Sequence, residues 1–241
     1  LKLKGGRMLL AIDVGNTNTV VGVYEGKTLK ANWRLETTSR RTFDEWGIAL
    51  VQLCAHAAID GRKVTAVAVS SVVPPLQFNL EKMAERYFSA RPMFVGPGVK
   101  TGMPILYDNP REVGADRIVN AVAAYDKHKG ALIVVDFGTA TTFDAVSKKG
   151  EYLGGAICPG ITIAMEALFT HASKLPRVEF LKPARVLGKN TVSSMQAGLF
   201  YGYVGLVDGV VERMVGEMDA PKVKVVATGG LAGLVSKEGW V

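Results

Sequence analysis

The stretch DVGNTNT, residues 13–19, closes the apolar run MLLAI with an acid, a glycine and small polar residues. DFGTATT, residues 136–142, closes the run ALIVV in the same way. Backbone N–H groups in a glycine-containing turn can approach phosphate oxygens closely, because glycine adds no side chain and tolerates unusual dihedrals. Gly15 and Gly138 fit that role, and Asn16, Thr17, Thr139 and Thr141 would supply neutral donors. Asp13 and Asp136, each at the carboxyl end of a strand, could hold Mg²⁺ or another cation, directly or through water, and offset phosphate charge. A single Asp-x-Gly after an apolar strand is ordinarily only a turn. Two copies in matching contexts, followed by VVATGG at 225–230 as a glycine turn suited to an adenine, read as nucleotide binding.

Other phosphate motifs fail. GVYEGKT at 22–28 resembles the P-loop G-x-x-x-x-G-K-[ST], but three residues rather than four separate Gly22 from Gly26. Its flanks are also strand-like on both sides, whereas a P-loop turns from strand into helix. No G-x-G-x-x-G opens a helix, so a dinucleotide fold has no support. His56, His128 and His171 lack metal-ligand spacing, and Cys54 and Cys158 form neither a disulfide framework nor a metal knuckle. Both cysteines read as buried small hydrophobes, and Trp33, Trp46 and Trp240 as packing residues.

A chain of 241 residues, 48% apolar and 21% charged, can bury a large core as one large or two modest domains. No apolar run approaches the ~18 residues of a membrane helix, and neither membrane nor secretory signal is expected, which points to the cytoplasm. The net charge is +7, with Lys2, Lys4 and Arg7 preceding Met8, which reads as a natural start. The basic runs SRRTF and SKKG carry no interleaved aromatic series, so nucleic acid is not the expected partner.

The elements that position these residues follow a repeated plan. MLLAIDVG and VVGVYEGKTLKANWRLE read as a strand followed by a hairpin with EGKT at its turn, then a helix over 43–59 led by Asp44 and Glu45. VTAVAVSSVVPP is a buried strand stopped by its proline pair, followed by a helix in LQFNLEKMAERYF and a short strand in PMFVGPG. Residues 111–128 predict a helix with Ile118, Val122 and Tyr125 on one side. ALIVVDFGTATTFDAVSKKGEYLGGAICPG then repeats the opening, and DVGNTNT aligns with DFGTATT. A helix over ITIAMEALFTHASKLP, a long helix from 193 to 218, a strand and a glycine turn into a last helix complete the chain. Two α/β domains facing each other across a cleft are expected.

The duplicated turns and late glycine pair resemble the acetate and sugar kinase, actin and heat-shock ATPase superfamily. More narrowly the chain resembles the type III pantothenate kinases. The match runs through DVGNTN at 13–18, SSVVP at 70–74, YDNPREVGADR at 107–117, DFGTATT at 136–142, GGAICPG at 154–160, KLP at 174–176, GKNT at 188–191 and ATGG at 227–230. EVG followed by ADR is its most specific part. The resemblance implies an α/β fold of two duplicated ribonuclease H-like domains, with mixed sheets facing a nucleotide cleft. The halves would be 8–118, holding the first phosphate loop and acceptor segment, and 119–241, holding the second loop and the adenosine region.

The activity it implies is ATP-dependent phosphorylation of pantothenate to 4'-phosphopantothenate, the first step of coenzyme A biosynthesis, by a homodimer using Mg²⁺ and K⁺ or NH₄⁺. By motif, the first phosphate loop falls on Asp13, Val14, Gly15, Asn16, Thr17, Asn18, Thr19 and Val20, with Thr139 as a further ATP contact and Asp136 as the monovalent-cation position. Pantothenate contacts fall on Tyr107, Gly114, Ala115, Asp116, Arg117 and Thr191, with Asp116 the catalytic base. A carboxylate suits that role, because an attacking alcohol loses its proton late in a loose transition state. From the residues alone, Asp116 and Arg117 also fit an acid favoured by a helix dipole beside a surface arginine. Two other readings remain: a kinase for another small hydroxylated acid, and a nucleotide-responsive accessory factor in gene regulation.

Overall fold

The computed structural model describes residues 7–96 and 99–235; Trp240 lies outside them. Contacts among these residues divide the chain into two compact units, the first running up to Lys100 and including Arg111–Val119, the second including Thr101–Pro110 and the described residues from Asn120 onward.

The first unit runs β1 (Met8–Val14), β2 (Asn18–Glu25), β3 (Thr28–Glu36), α1 (Phe43–His56), β4 (Val64–Ser71), α2 (Gln77–Phe88) and β5 (Pro92–Val95). The strands order as β3-β2-β1-β4-β5, with β1 antiparallel to β2 and parallel to β4. EGKT is a hairpin turn, since Glu25 pairs with Thr28. Alternation along β1 buries Met8, Leu10, Ile12 and Val14 on one face and turns Asp13 to the other. The buried face meets Trp46, Leu50 and Cys54 of α1 and Leu80, Met83 and Phe88 of α2 in one hydrophobic cluster. Helix α1 starts where Thr42 and Glu45 cap each other: the Glu45 N–H donates to Thr42 Oγ1 (3.3 Å) and the Thr42 N–H to Glu45 Oε2 (2.7 Å). Strand β4 stops at Ser71, and Pro74 begins a 3₁₀ turn leading into α2.

Helix α3 (Ala115–His128) contains the boundary between the units. It is shorter than the spacing predicts. Pro110–Glu112 form a separate 3₁₀ turn, and the first α-helical bond runs from Ile118 N–H to Gly114 carbonyl (3.2 Å), because glycine and the preceding proline turn resist helix while Ala115 onward favours it.

The second unit runs β6 (Leu132–Phe137), β7 (Ala140–Val146), β8 (Tyr152–Pro159), α4 (Ile161–His171), α5 (Thr191–Glu217), β9 (Lys224–Gly229) and α6 (Ala232–Val235). Its sheet orders as β8-β7-β6-β9, which reproduces β3-β2-β1-β4 strand for strand, including the antiparallel hairpin and the parallel partner. Ile133, Val135, Phe137 and Phe143 pack with Tyr203, Val207 and Val211 of α5. Helix α4 ends at His171, short of the predicted Pro176, where Ala172 turns extended (φ −117°, ψ 99°) and proline excludes further turns. Asn190 caps α5, which begins two residues earlier than expected. Cys54 is buried, but Cys158 on β8 is only half-buried. No helix among the described residues is long and apolar enough to cross a membrane.

Candidate active site

In the first unit, the predicted phosphate loop is the tight link between β1 and β2. The Gly15 N–H donates to the Asn18 carbonyl (3.0 Å), the Thr37 N–H to the Thr17 carbonyl (3.0 Å) and the Val72 N–H to the Val14 carbonyl (3.0 Å). These bonds pin the loop between β3 and β4. Asn16, Thr17 and Asn18 are exposed, while Thr19 is buried with its hydroxyl bonded to Thr37 Oγ1 (2.9 Å). Val14 is buried and Val20 exposed, so of this segment Val14 and Thr19 serve as scaffold. Gly15 and Gly138 both lie outside the positive-φ region, contrary to the dihedral argument for them. Gly15 is tightly placed: a Cβ there would lie 3.1 Å from the Asn18 carbonyl, closer than most side chains come.

Asp13 shares its sheet face with Ser70, its register partner on β4. Although the side chain reaches solvent, partial desolvation raises the Asp13 carboxyl above its ordinary value of 3.8, the nearby Ser70 hydroxyl opposes that, and the Asp116 charge adds to it. The loop acid and the acceptor-segment acid are thus electrostatic neighbours within one unit. Asp116 stands in the first turn of α3, where the helix dipole favours a negative charge, and its Oδ1 accepts the Arg117 N–H (2.8 Å). Gly114 makes room for it, since a Cβ there would lie 2.5 Å from Asp116 Oδ1. Ala115 is buried, and Arg117 is also buried at 7% exposure, which removes the reading of a surface arginine.

In the second unit, Asp136 accepts from Asn120 Nδ2 (2.8 Å), a residue that sequence reasoning missed. A Cβ on Gly229 would lie 2.6 Å from Asp136 Oδ1, and Gly229 has φ +94°, so the ATGG glycine is required on both counts. Gly160, the last residue of GGAICPG, abuts the backbone carbonyl of Thr139 with no space for a Cβ. The motif glycines therefore seat the second loop by contact. Thr139 is exposed, whereas Thr141 is fully buried, which makes it scaffold rather than a phosphate donor.

Tyr107 lies on β8: the Leu106 N–H donates to the Tyr152 carbonyl and the Tyr152 N–H to the Pro104 carbonyl (both 2.8 Å). Its ring sits 6.3 Å from that of Tyr152, whose hydroxyl donates to buried Asp144 (2.6 Å), and 3.7 Å from a Cβ built on Gly154. Thr191 has different surroundings. It opens α5 and lines a cavity of about 840 Å³ shared by residues of α4 and α5, among them Leu168, Ser194, Leu199 and Leu206, and by Lys189. Gly188 packs directly on the backbone of Ser193 and Ser194, which sets the start of α5 and the place of Thr191.

A model of the type III pantothenate kinase family matches residues 9–213, a span that contains both Asp-x-Gly turns, the acceptor segment and GKNT. The chain belongs to this family. A type III pantothenate kinase of Myxococcus xanthus is 73% identical over 231 residues, covering 96% of this chain and 90% of the relative. One from Geotalea daltonii is 62% identical over 231 residues, with the same coverage of 96% and 90%. Among solved structures, the ethanolamine utilization protein EutJ from Carboxydothermus hydrogenoformans has a TM-score of 0.52 at 13% identity, covering 96% of this chain and 80% of that one. The Lmo2764 protein from Listeria monocytogenes has a TM-score of 0.51 at 13% identity, covering 95% and 87%. These structural likenesses concern fold alone, and they agree with two duplicated ribonuclease H-like domains built on mixed sheets.

Two outcomes follow from this geometry. Replacing Gly114 with Ala displaces only the flexible end of Asp116, so chemical denaturation changes by less than about 1 kcal/mol, while kcat falls on the order of 100-fold from misplacement. Equal losses of stability and kcat would refute a positioning role for Gly114. The raised pKa of Asp13 favours the folded state below 3.8, and that contribution is lost as pH rises through the folded value. Without nucleotide or divalent cation, Asp13→Asn therefore melts higher than the parent at neutral pH, and the gap closes on acidification. A gap that is constant with pH would show that desolvation of the Asp13 charge is not its cause.

Proposed function

We infer that the chain transfers the γ-phosphoryl group of ATP to the alcohol of pantothenate, giving 4'-phosphopantothenate in the first step of coenzyme A biosynthesis. The observation that carries this is family membership across 9–213 together with Asp116, an acid held at a helix N-terminus beside the loop acid Asp13. Phosphoryl transfer depends mostly on positioning and charge neutralisation, and an alcohol nucleophile needs an acceptor for its proton. Asp116 takes that proton, with its carboxylate oriented by the Arg117 N–H and by the space at Gly114.

The exposed Asn16, Thr17 and Asn18 and the backbone of the 13–20 loop hold phosphate oxygens, and Thr139 does the same from the second loop. Buried Arg117, with Gly114, Ala115, Tyr107 and Thr191, recognises pantothenate; its guanidinium suits a carboxylate. The carboxylate oxygen of Asp13 fits a hard divalent cation such as Mg²⁺, and Asp136, fixed by Asn120, fits K⁺ or NH₄⁺. When bound, such cations offset the polyphosphate charge. Along the sequence the functional halves are 8–118 and 119–241, although residues 101–110 pack with the second unit. The active species is a homodimer, a reading supported by exposed apolar residues of the second unit, among them Ile157, Ile163, Phe169 and Leu187, at 40–84% exposure.

ADP release from ATP should depend on pantothenate, rise with K⁺ or NH₄⁺, and fall by about 10²–10⁴-fold in Asp116→Asn. If ATP binds but pantothenate stimulates nothing, the phosphate loops stand and the acceptor assignment falls. Sedimentation equilibrium should give about twice the chain mass; a monomer with full activity would refute the dimer.

A further inference from the structure

Ser70 is 6% exposed, and its Oγ meets no partner with hydrogen-bond geometry among the described residues. A buried hydroxyl without a good partner is costly and calls for a physical reason. Serine is not needed to fill the space, because its neighbours on that face of β4 are Ala66 and Ala68. What distinguishes its position is the register: Ala66 pairs with Leu9, Ala68 with Ala11, and Ser70 with Asp13. The hydroxyl thus stands beside the strand-end acid, on the same sheet face.

The second unit repeats this placement independently. Its strand-end acid, Asp136, pairs in parallel register with Thr228 of β9, again a hydroxyl residue. Asp136 already accepts from Asn120, whereas the hydroxyl beside Asp13 favours its charge without reaching hydrogen-bond geometry. A hydroxyl proton rotates freely, and a small change of side-chain angle is enough to turn an adjacent O–H towards a carboxylate. Carboxylates that bind cations are themselves held by hydrogen bonds from a neighbouring residue, and loss of that neighbour weakens binding or activity.

We propose that Ser70 is a positioning residue for the nucleotide: its hydroxyl donates to the Asp13 carboxylate when a nucleoside triphosphate and its divalent cation bind, and fixes the orientation of that carboxylate. In the free protein the hydroxyl already favours the Asp13 charge but lacks full hydrogen-bond geometry; in the loaded state the bond is completed. The inference rests on Asp13 belonging to the phosphate site.

The test compares the parent with Ser70→Ala, Ser70→Thr and Asp13→Asn. Two quantities are measured: melting of the ligand-free protein, and binding of Mg·ATP by calorimetry, with KM and kcat for each substrate alongside. Ser70→Ala should melt close to the parent temperature, since no full hydrogen bond is lost in the free state. It should weaken Mg·ATP binding on the order of 10–100-fold and leave the KM for pantothenate unchanged. Ser70→Thr, which keeps the hydroxyl, should recover most of the loss. Ser70→Ala combined with Asp13→Asn should cost little more than Asp13→Asn alone, because the serine acts through that acid. A lowered melting temperature that accounts for the loss would make Ser70 structural and overturn the inference. So would parental Mg·ATP binding in Ser70→Ala while Asp13→Asn is impaired. If Asp13→Asn itself binds Mg·ATP as the parent does, the assignment of Asp13 fails, and the role of Ser70 fails with it.

Discussion

Asp13 ends a strand whose opposite face is sealed against two helices, and its carboxylate is partly desolvated within reach of a second acid. Holding like charges close and removing water from one of them costs free energy at every pH where both ionise. A fold selected for stability alone would relieve that by substituting either residue. Here the cost is offset by large apolar burial beneath the sheet, while Asp116 also gains from the α3 dipole and from the Arg117 N–H. The same crowding of negative charge favours a cation there, whose charge would offset both carboxylates.

The two sheets show how one plan serves two purposes. β3-β2-β1-β4 and β8-β7-β6-β9 share order and direction, and each ends its central strand in Asp-x-Gly next to a hydroxyl residue on the parallel neighbour. They differ in how the acid is held. Asp136 is fixed by Asn120 and enclosed by Gly229, an arrangement set before any ligand arrives. Asp13 has beside it a Ser70 hydroxyl that favours its charge without full hydrogen-bond geometry. Duplication supplied the geometry, and the side chains around each acid then gave it a distinct chemistry.

Most of the glycines in the recognisable motifs act by occupying no space. Gly114 admits the Asp116 carboxylate, Gly160 admits the Thr139 backbone, and Gly188 admits the start of α5. Gly229 (φ +94°) and Gly154 (φ +131°), both in these motifs, also need the positive-φ backbone that glycine favours. Close packing of this kind transmits position: an added methyl group at any of them forces a neighbouring group to shift.

Local rules were enough for the sequence to determine the element order, the duplication and the two Asp-x-Gly turns, because alternation, helical spacing and turn residues act over a few positions. EGKT was readable as a hairpin rather than a P-loop for the same reason, and the EVGADR segment marked the acceptor end through resemblance. Tertiary structure decided what those residues touch. Arg117 is buried although its helix position also suits the surface, Thr141 is sealed off while Thr139 is open, and Asn120 meets Asp136 across 16 positions of sequence. The proximity of Asp13 and Asp116 and the pairing of Asp13 with Ser70 belong to the same class, since they depend on parallel register and helix docking between distant segments. A spacing pattern says which face a residue occupies; only packing says which distant residue shares it.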